Sequence, residues 1–225
     1  MRVSKNVILA AASVPVLLLS APTLAHEIEG DVKRDVVETY DLSGFDRIAV
    51  EGVYLLDVEV GPRFSVRTEA RAKDADDVKV YLEGDTLVLG QSEDRKRRNR
   101  NTKGVKAIVM LPSLEGVEIA GIANGDIRGI KAGDFEVEIA GISNVHFYGT
   151  CDDLDIDVAG MGDTDASGLI CEDVNADLGG MGKLSVHATQ SVDADMGGMG
   201  AIEVHGDPEN RRTTSSPMSS VRFVD

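Results

Sequence analysis

The sequence has no tryptophan and few aromatic side chains, four Tyr and five Phe in 225 residues. A wide core filled by rings is therefore excluded. What remains is a narrow core of stacked aliphatic side chains, and the 24 glycines suit close approach of one backbone to another. Cysteine is scarce: Cys151 and Cys171 stand alone, which excludes a Cys-x-x-Cys redox motif and any multi-cysteine zinc site. Helical periodicity is missing as well, with Glu69 to Asp77 the best candidate for a single turn. The second half lacks positive charge. Between Leu114 and Asp207 nineteen Asp and Glu face only Arg128, Lys131 and Lys183. A phosphate backbone demands the opposite sign, so nucleic acid is excluded as a partner. Cations, basic proteins or solubility are what such a balance serves.

Long apolar runs are confined to the start of the chain. Arg2 and Lys5 precede the apolar stretch Val7 to Ser20, and Thr23-Leu24-Ala25 offers small residues for cleavage before His26. This pattern predicts a secretory signal peptide over residues 1–25. The competing reading, an uncleaved anchor, needs ~18–20 apolar residues without Pro15. No cysteine follows the run to carry a lipid, and no later stretch is apolar enough to span a bilayer. The mature protein is thus expected to be exported, to the periplasm or the cell surface.

Residues 26–41 read as a loose lead-in. From Phe45 onward the pattern has a period of two. Ile48, Val50 and Val53 are followed by Leu56, Val58 and Val60, then Phe64 to Thr68, Val78 to Leu82 and Thr86 to Leu89. Gly, Pro and Asp bound these runs, an all-β signature. The basic run Arg95 to Lys103 interrupts it. A dense like-charge run reads as a solvated loop; the sharper alternative is contact with lipid phosphates at an envelope surface or with the acidic face of this or another copy.

One short phrase then recurs: Ala120-Gly121-Ile122, Ala140-Gly141-Ile142, Ala159-Gly160-Met161, Gly179-Gly180-Met181 and Gly197-Gly198-Met199. The steps between second residues are 20, 19, 20 and 18. Such a period predicts a right-handed parallel β-solenoid with about 19–20 residues per repeat in the C-terminal half. Aligning on the phrase gives an acidic row, Glu118, Glu138, Asp157, Asp177 and Asp195, and a second one with Glu136, Asp155 and Asp193. Apolar residues alternate with both. Side chains on a strand alternate faces, so the apolar rows should point in and the acidic rows out. The central residue of the phrase is expected to plug the core at the corner. After it, a second strand should carry the outward row Arg128, Tyr148, Ser167, His187 and His205. A small residue, Gly129, Gly149, Gly168, Ala188 or Gly206, should close that strand. Residues 114–207 form the regular coils. Met218, 19 residues after Met199, marks a degenerate capping coil over 208–225.

These features resemble the head-GIN-domain family, labelled "putative auto-transporter adhesin". The Phe45 to Leu89 strands, Leu111-Pro112-Ser113-Leu114 before the first phrase, the phrases themselves and Val204-His205-Gly206-Asp207-Pro208 carry the likeness over residues 42–225. It departs from the usual pattern in the basic loop, in the Met residues of the phrases and in the acidity of the rows. The resemblance implies a single β-solenoid domain outside the cytoplasm and brings no catalytic residues.

The acidic rows are the sharpest candidates for chemistry. Carboxylates stacked at ~4.7–4.9 Å repel, by about 3 kcal/mol per neighbour at a dielectric near 20 before screening. Divalent ions such as Ca²⁺ would relieve this, although the nonapeptide of calcium β-rolls is absent; a solubilising face is the plainer reading. His187 and His205, stacked near Glu203, are weak candidates for a transition metal. Cys151 and Cys171 occupy the same position in successive coils, so a disulfide or a stacked pair is expected in an oxidising compartment. The Gly-rich phrases precede no helix and are corners rather than phosphate cradles. The reading is an exported, non-enzymatic binding or scaffolding protein with no required cofactor. Its acidic face would meet an envelope protein or a cell-surface glycan, with self-association at open edges. The competing class is an enzyme acting on envelope polysaccharide through Asp155 and Asp157 or Asp163 and Asp165.

Overall fold

Strand parity runs unbroken through most of the repeat region: buried Leu178, exposed Met181 and buried Leu184 are three residues apart, with glycines between. The computed structural model describes residues 34–92 and 104–224, with the backbone of Asn6–Val7. The rest of the predicted signal peptide and the basic run 95–103 lie outside the described residues. Along the chain the elements are β1 (Asn6–Val7), β2 (Val36–Tyr40), β3 (Arg47–Val50), β4 (Val53–Val60), β5 (Ser65–Ala70), α1 (Ala72–Ala75), β6 (Val78–Glu83), β7 (Thr86–Gln91) and β8 (Val105–Leu111). Then come β9 (Gly116–Ile119), β10 (Ile122–Ile139), β11 (Ile142–Val158), β12 (Met161–Leu178), β13 (Met181–Met196), β14 (Met199–His205), β15 (Asn210–Ser215) and β16 (Ser219–Val224). No helix among the described residues is long and apolar enough to cross a membrane.

The long strands stack in parallel, β10 to β11 to β12 to β13, each making one bent coil of a β-solenoid. Two faces result. One is formed by the first half of each coil and runs β8, β4, β10, β11, β12, β13, β14, β16. The other is formed by the second half and runs β7, β3, β9, β10, β11, β12, β13, β15. Between them lies one continuous aliphatic core, including Val117, Ile119, Val137, Ile139, Ile156, Val158, Ala176, Leu178, Ala194 and Met196. Phe135 and Phe147 meet edge-on inside it, with ring centroids 6.1 Å apart.

The N-terminal half is solenoid too, laid down out of order. β3 and β4 form a coil whose corner is Glu51-Gly52, and Ile122 N–H donates to the Gly52 carbonyl at 2.8 Å. The coil β7–β8 stacks on its outer side, so β3–β4 lies between a later coil and the first regular one. β5 joins β8, and β6 joins β7, antiparallel, covering the outermost parallel strands. Residues 36–40, assigned to the loose lead-in, form β2, which pairs antiparallel with β5. At the other end Ser219 to Val224 align with Gly200 to His205. There Arg211 lies over the Phe223 ring at 4.4 Å and its Nε donates to the Pro208 carbonyl at 2.9 Å.

Three local expectations are corrected. The phrase's central residue does not plug the core: Ile122, Ile142, Met161, Met181 and Met199 point outward, because strand parity continues through the corner. The inward parity falls on the glycines. A Cβ at Gly180 would overlap the carbonyl oxygen of Gly160, which accepts the Met181 N–H at 3.0 Å. Gly182 adds φ 145°, outside the range of most side chains. Secondly, Gly129 and Gly149 do not close strands; they lie within β10 and β11, where the ladder bends and slips. Thirdly, that slip breaks the predicted outward row after Tyr148, which pairs with Gly168, while His187 pairs with Ile170.

Cys151 and Cys171 are in register on β11 and β12, their Cα atoms 4.5 Å apart and their sulfurs bonded. Closing a loop of this size stabilises by about 3 kcal/mol in the chain-entropy account. Alkylation without reductant should therefore find no free thiol by mass, and reduction should lower the melting temperature; two labelled thiols in the unreduced protein would contradict the bond. At the corners, Gly180→Ala should cost about 3 kcal/mol or more, since backbone must move, whereas Gly179→Ala, where a Cβ meets nothing within 4 Å, should change stability by less than about 0.5 kcal/mol. Equal effects in thermal melts would refute the close-approach account.

Candidate functional site

The second half of each coil presents three outward positions, two residues apart. Stacking turns them into three columns: Asp134, Asp153, Asp173 and Ser191; Glu136, Asp155, Asn175 and Asp193; Glu138, Asp157, Asp177 and Asp195. Glu118 extends the third column on β9. Ten of these twelve positions in four coils are carboxylates, spaced about 4.8 Å across strands and about 6.6–6.8 Å along them. The structure thus aligns every residue of the two sequence-derived acidic rows. The Asp134, Asp153 and Asp173 column was missed, although it lies two residues upstream of the second row on each strand.

The columns are not equivalent. The middle one is closed at each end by arginine: Arg47 pairs with Glu136, and Arg212 Nη1 lies 3.5 Å from Asp193 Oδ2. Asn175 Nδ2 donates to Asp155 Oδ1 at 3.1 Å, and the Ser191 hydroxyl donates to Asp173. The third column contains no basic residue, running from Ala49 through the five acids to Thr214. Burial, and then the charges of Asp195, Asp157, Asp155 and Asp193, hold the Asp177 carboxyl above the ordinary carboxylate range. By contrast, on the opposite face Asp57 is paired with Lys106 at 3.2 Å and Arg128 at 2.6 Å, and Arg128 also holds Asp126 at 2.7 Å. The uninterrupted acidic column thus lies on the face formed by the second half of each coil, whereas Asp57 and Asp126 on the opposite one are paired with basic residues. Along the acidic face the first two columns flank an open groove of about 1180 Å³, ending at Arg211 and Arg212.

The other candidates come together less well. His187 and His205 are neighbours in register, but Glu203 is engaged by Lys183 Nζ at 2.6 Å, and His187 Nδ1 lies 3.3 Å from the Ser167 carbonyl. Among the described residues no three His, Cys, Asp or Glu are grouped to hold a metal ion. Asp163 is in register with Lys183. Burial pushes the Asp165 carboxyl up, but hydrogen bonds from the Ser167 hydroxyl and N–H, with His146 at 3.6 Å, outweigh it and lower the net value. A carboxyl held ionised cannot donate a proton to a leaving group.

Residues 44–208 match the family described as "Putative auto-transporter adhesin, head GIN domain". The chain belongs to the head GIN domain family. None of the curated proteins matches it. Among solved structures it is similar to a putative adhesin from Bacteroides fragilis, 20% identical, with a TM-score of 0.70 over 84% of this chain and 96% of that one. It also matches a putative lipid binding protein from Parabacteroides distasonis, 19% identical, TM-score 0.45, over 84% of this chain and 96% of that one. At such identity the likeness of this head GIN protein to the first of these is one of fold.

The raised Asp177 carboxyl makes a signed prediction. The folded state holds this proton more tightly than the unfolded one. The resulting penalty is absent below the ordinary carboxylate pKa, grows as pH rises through the raised folded value, and is complete at neutral pH. Asp177→Asn should therefore raise the melting temperature at neutral pH, with the gain vanishing on acidification and shrinking in high salt by the part that the neighbouring charges contribute. Asp165→Asn should do the reverse at neutral pH, since a lowered carboxyl stabilises the fold above its ordinary pKa and loses that contribution as pH falls. Melts of both variants against pH check the pair; matching shifts of one sign would contradict it.

Proposed function

We propose that this protein is a non-enzymatic, adhesin-like binding protein of the cell envelope whose acidic solenoid face is the contact surface. The observation that carries the reading is the carboxylate lattice, left without basic partners in its third column and held on continuous β-ladders. Like charges directly opposite across a ladder destabilise it, so the lattice works against the fold that displays it. An external cationic surface relieves that repulsion and converts it into attraction on contact. The family description and the adhesin-named structural neighbour support the same role. The leader pattern of residues 1–25 supports export to the periplasm or the cell surface.

The partner class is a basic segment of an envelope protein or an acidic glycan bridged through divalent ions such as Ca²⁺. In the polysaccharide-enzyme reading Asp165 could not serve as the acid, since hydrogen bonds lower its carboxyl, and Lys183 stands in register with Asp163. To test the proposal, chain from His26 onward is immobilised and probed with a polylysine ligand, and with a glycan array in millimolar Ca²⁺ or chelator. Binding in at least one arm is expected, falling with salt in the first and with chelator in the second. Asp155→Asn/Asp157→Asn/Asp177→Asn/Asp195→Asn should weaken it by about tenfold or more. No binding in either arm, or binding indifferent to the four substitutions, overturns the proposal.

A further inference from the structure

Strand parity leaves an apolar ridge along the outside of the corner, and its composition changes along the solenoid. The first two regular coils place Ile122 and Ile142 there, 37% and 43% exposed. The next three place Met161, Met181 and Met199, 46%, 45% and 46% exposed, and the terminal coil adds Met218 at 73%. The chain has only seven methionines. Burial does not account for four of them standing in solvent on successive coils, where isoleucine already satisfies the same backbone position.

A second change accompanies the first. The outward position two residues before the ridge is Ala120, Ala140 and Ala159 in the earlier coils, but Gly179 and Gly197 beside Met181 and Met199. Neither glycine has a left-handed φ, and a Cβ on either would meet nothing within 4 Å. The backbone does not require glycine there. Losing those methyl groups opens the flank of the methionine row, and a trough of about 550 Å³ runs between the thioethers and the Gly179-Gly180 and Gly197-Gly198 corners, closed by Ser216 and Pro217.

We propose that this ridge binds a soft monovalent metal ion, Cu(I) or Ag(I), through two or three adjacent thioether sulfurs of the row Met161, Met181, Met199 and Met218. Met161, Met181 and Met199 are neighbours in register, about 4.8 Å apart along the stack. Methionine is unbranched with three rotatable bonds, so adjacent sulfurs on such a spacing converge on one ion without moving backbone. Thioether sulfur selects Cu(I) over hard ions, which prefer oxygen. The carboxylates of Asp157, Asp177 and Asp195 lie four residues before the ridge residue on the same three coils and enrich cations of every kind near it. Selection then falls to the sulfurs. No thiolate competes, because Cys151 and Cys171 are bonded to one another and buried.

Thioethers carry no proton, which separates this site from any histidine site on the molecule. Disulfide-intact protein is titrated anaerobically with Cu(I) against a chromophoric Cu(I) chelator. At least one equivalent should be withdrawn, should persist at about pH 5, below the ordinary histidine pKa of about 6.5, and should show sulfur coordination in X-ray absorption. Met161→Ile/Met181→Ile/Met199→Ile/Met218→Ile installs the residue that Ile122 and Ile142 already place on the ridge, so the fold is kept. It should weaken binding by at least about tenfold, with Met181→Ile alone giving a smaller loss. His187→Ala/His205→Ala should leave binding unchanged. Failure to withdraw Cu(I), retention by the four-Ile protein, or loss in the histidine variant each overturns the proposal.

Discussion

Each corner glycine offers its carbonyl oxygen to the N–H of the ridge residue on the next coil, and the next coil's own glycine stands against that same oxygen. Ile142 N–H meets Gly121, Met161 N–H meets Gly141, Met181 N–H meets Gly160 and Met199 N–H meets Gly180, all at 2.9–3.0 Å. No side chain larger than hydrogen fits at the approach. The contact therefore fixes where each coil begins relative to its neighbour. Register set at the corner propagates along both faces, because strand parity carries it from residue to residue. The acidic columns and the methionine ridge are alike consequences of that one backbone contact.

Such a scaffold tolerates what an isolated strand would not. The carboxylates of the third column repel one another, yet each strand that bears them is anchored by buried aliphatic residues on alternate positions and by ladder bonds on both sides. A cross-link between Cys151 and Cys171 adds to this in the middle of the stack. Destabilising surface charge is thereby separated from the fold's stability and remains available for contact. The arginines at the ends of the middle column compensate that column alone and leave the third without a basic partner.

Much of this was legible in the sequence, for a specific reason. A period near twenty and alternation at Val137-Glu138-Ile139 or Ile156-Asp157-Val158 leave one arrangement of faces and one alignment of coils. Legibility failed where two rules conflicted. Met181 is apolar, which argued for the core; counting parity from Leu178 would have placed it outside, and parity is the stronger constraint because the backbone enforces it. The slip after Tyr148 was hidden because coil lengths differ by a residue or two, and the difference is absorbed at bends rather than corners. Gly52 was a phrase copy in plain view: Val50-Glu51-Gly52-Val53 aligns on Ile119-Ala120-Gly121-Ile122. It was obscured because its neighbour in space, β9, lies more than sixty residues away and β7–β8 intervenes. Arg47 and Arg212 were not legible as ends of an acidic column, since nothing local in sequence joins them.

The out-of-order N-terminal coils have a consequence for assembly. β3 and β4 precede β7–β8 and β9–β10 in the chain but lie between them, so neither half of that coil is paired on both sides until residues up to 128 are present. Those pairings span long stretches of chain, and their closure entropy must be met before the contacts reward it. Once they are made, every later coil has a finished template beneath it and needs only its own twenty or so residues to add on. The slow step is thus placed at the beginning of the chain, and growth proceeds from there toward the C-terminus. A protein threaded out of a cell amino end first would emerge with its nucleus leading and its repeats following in the order in which they stack.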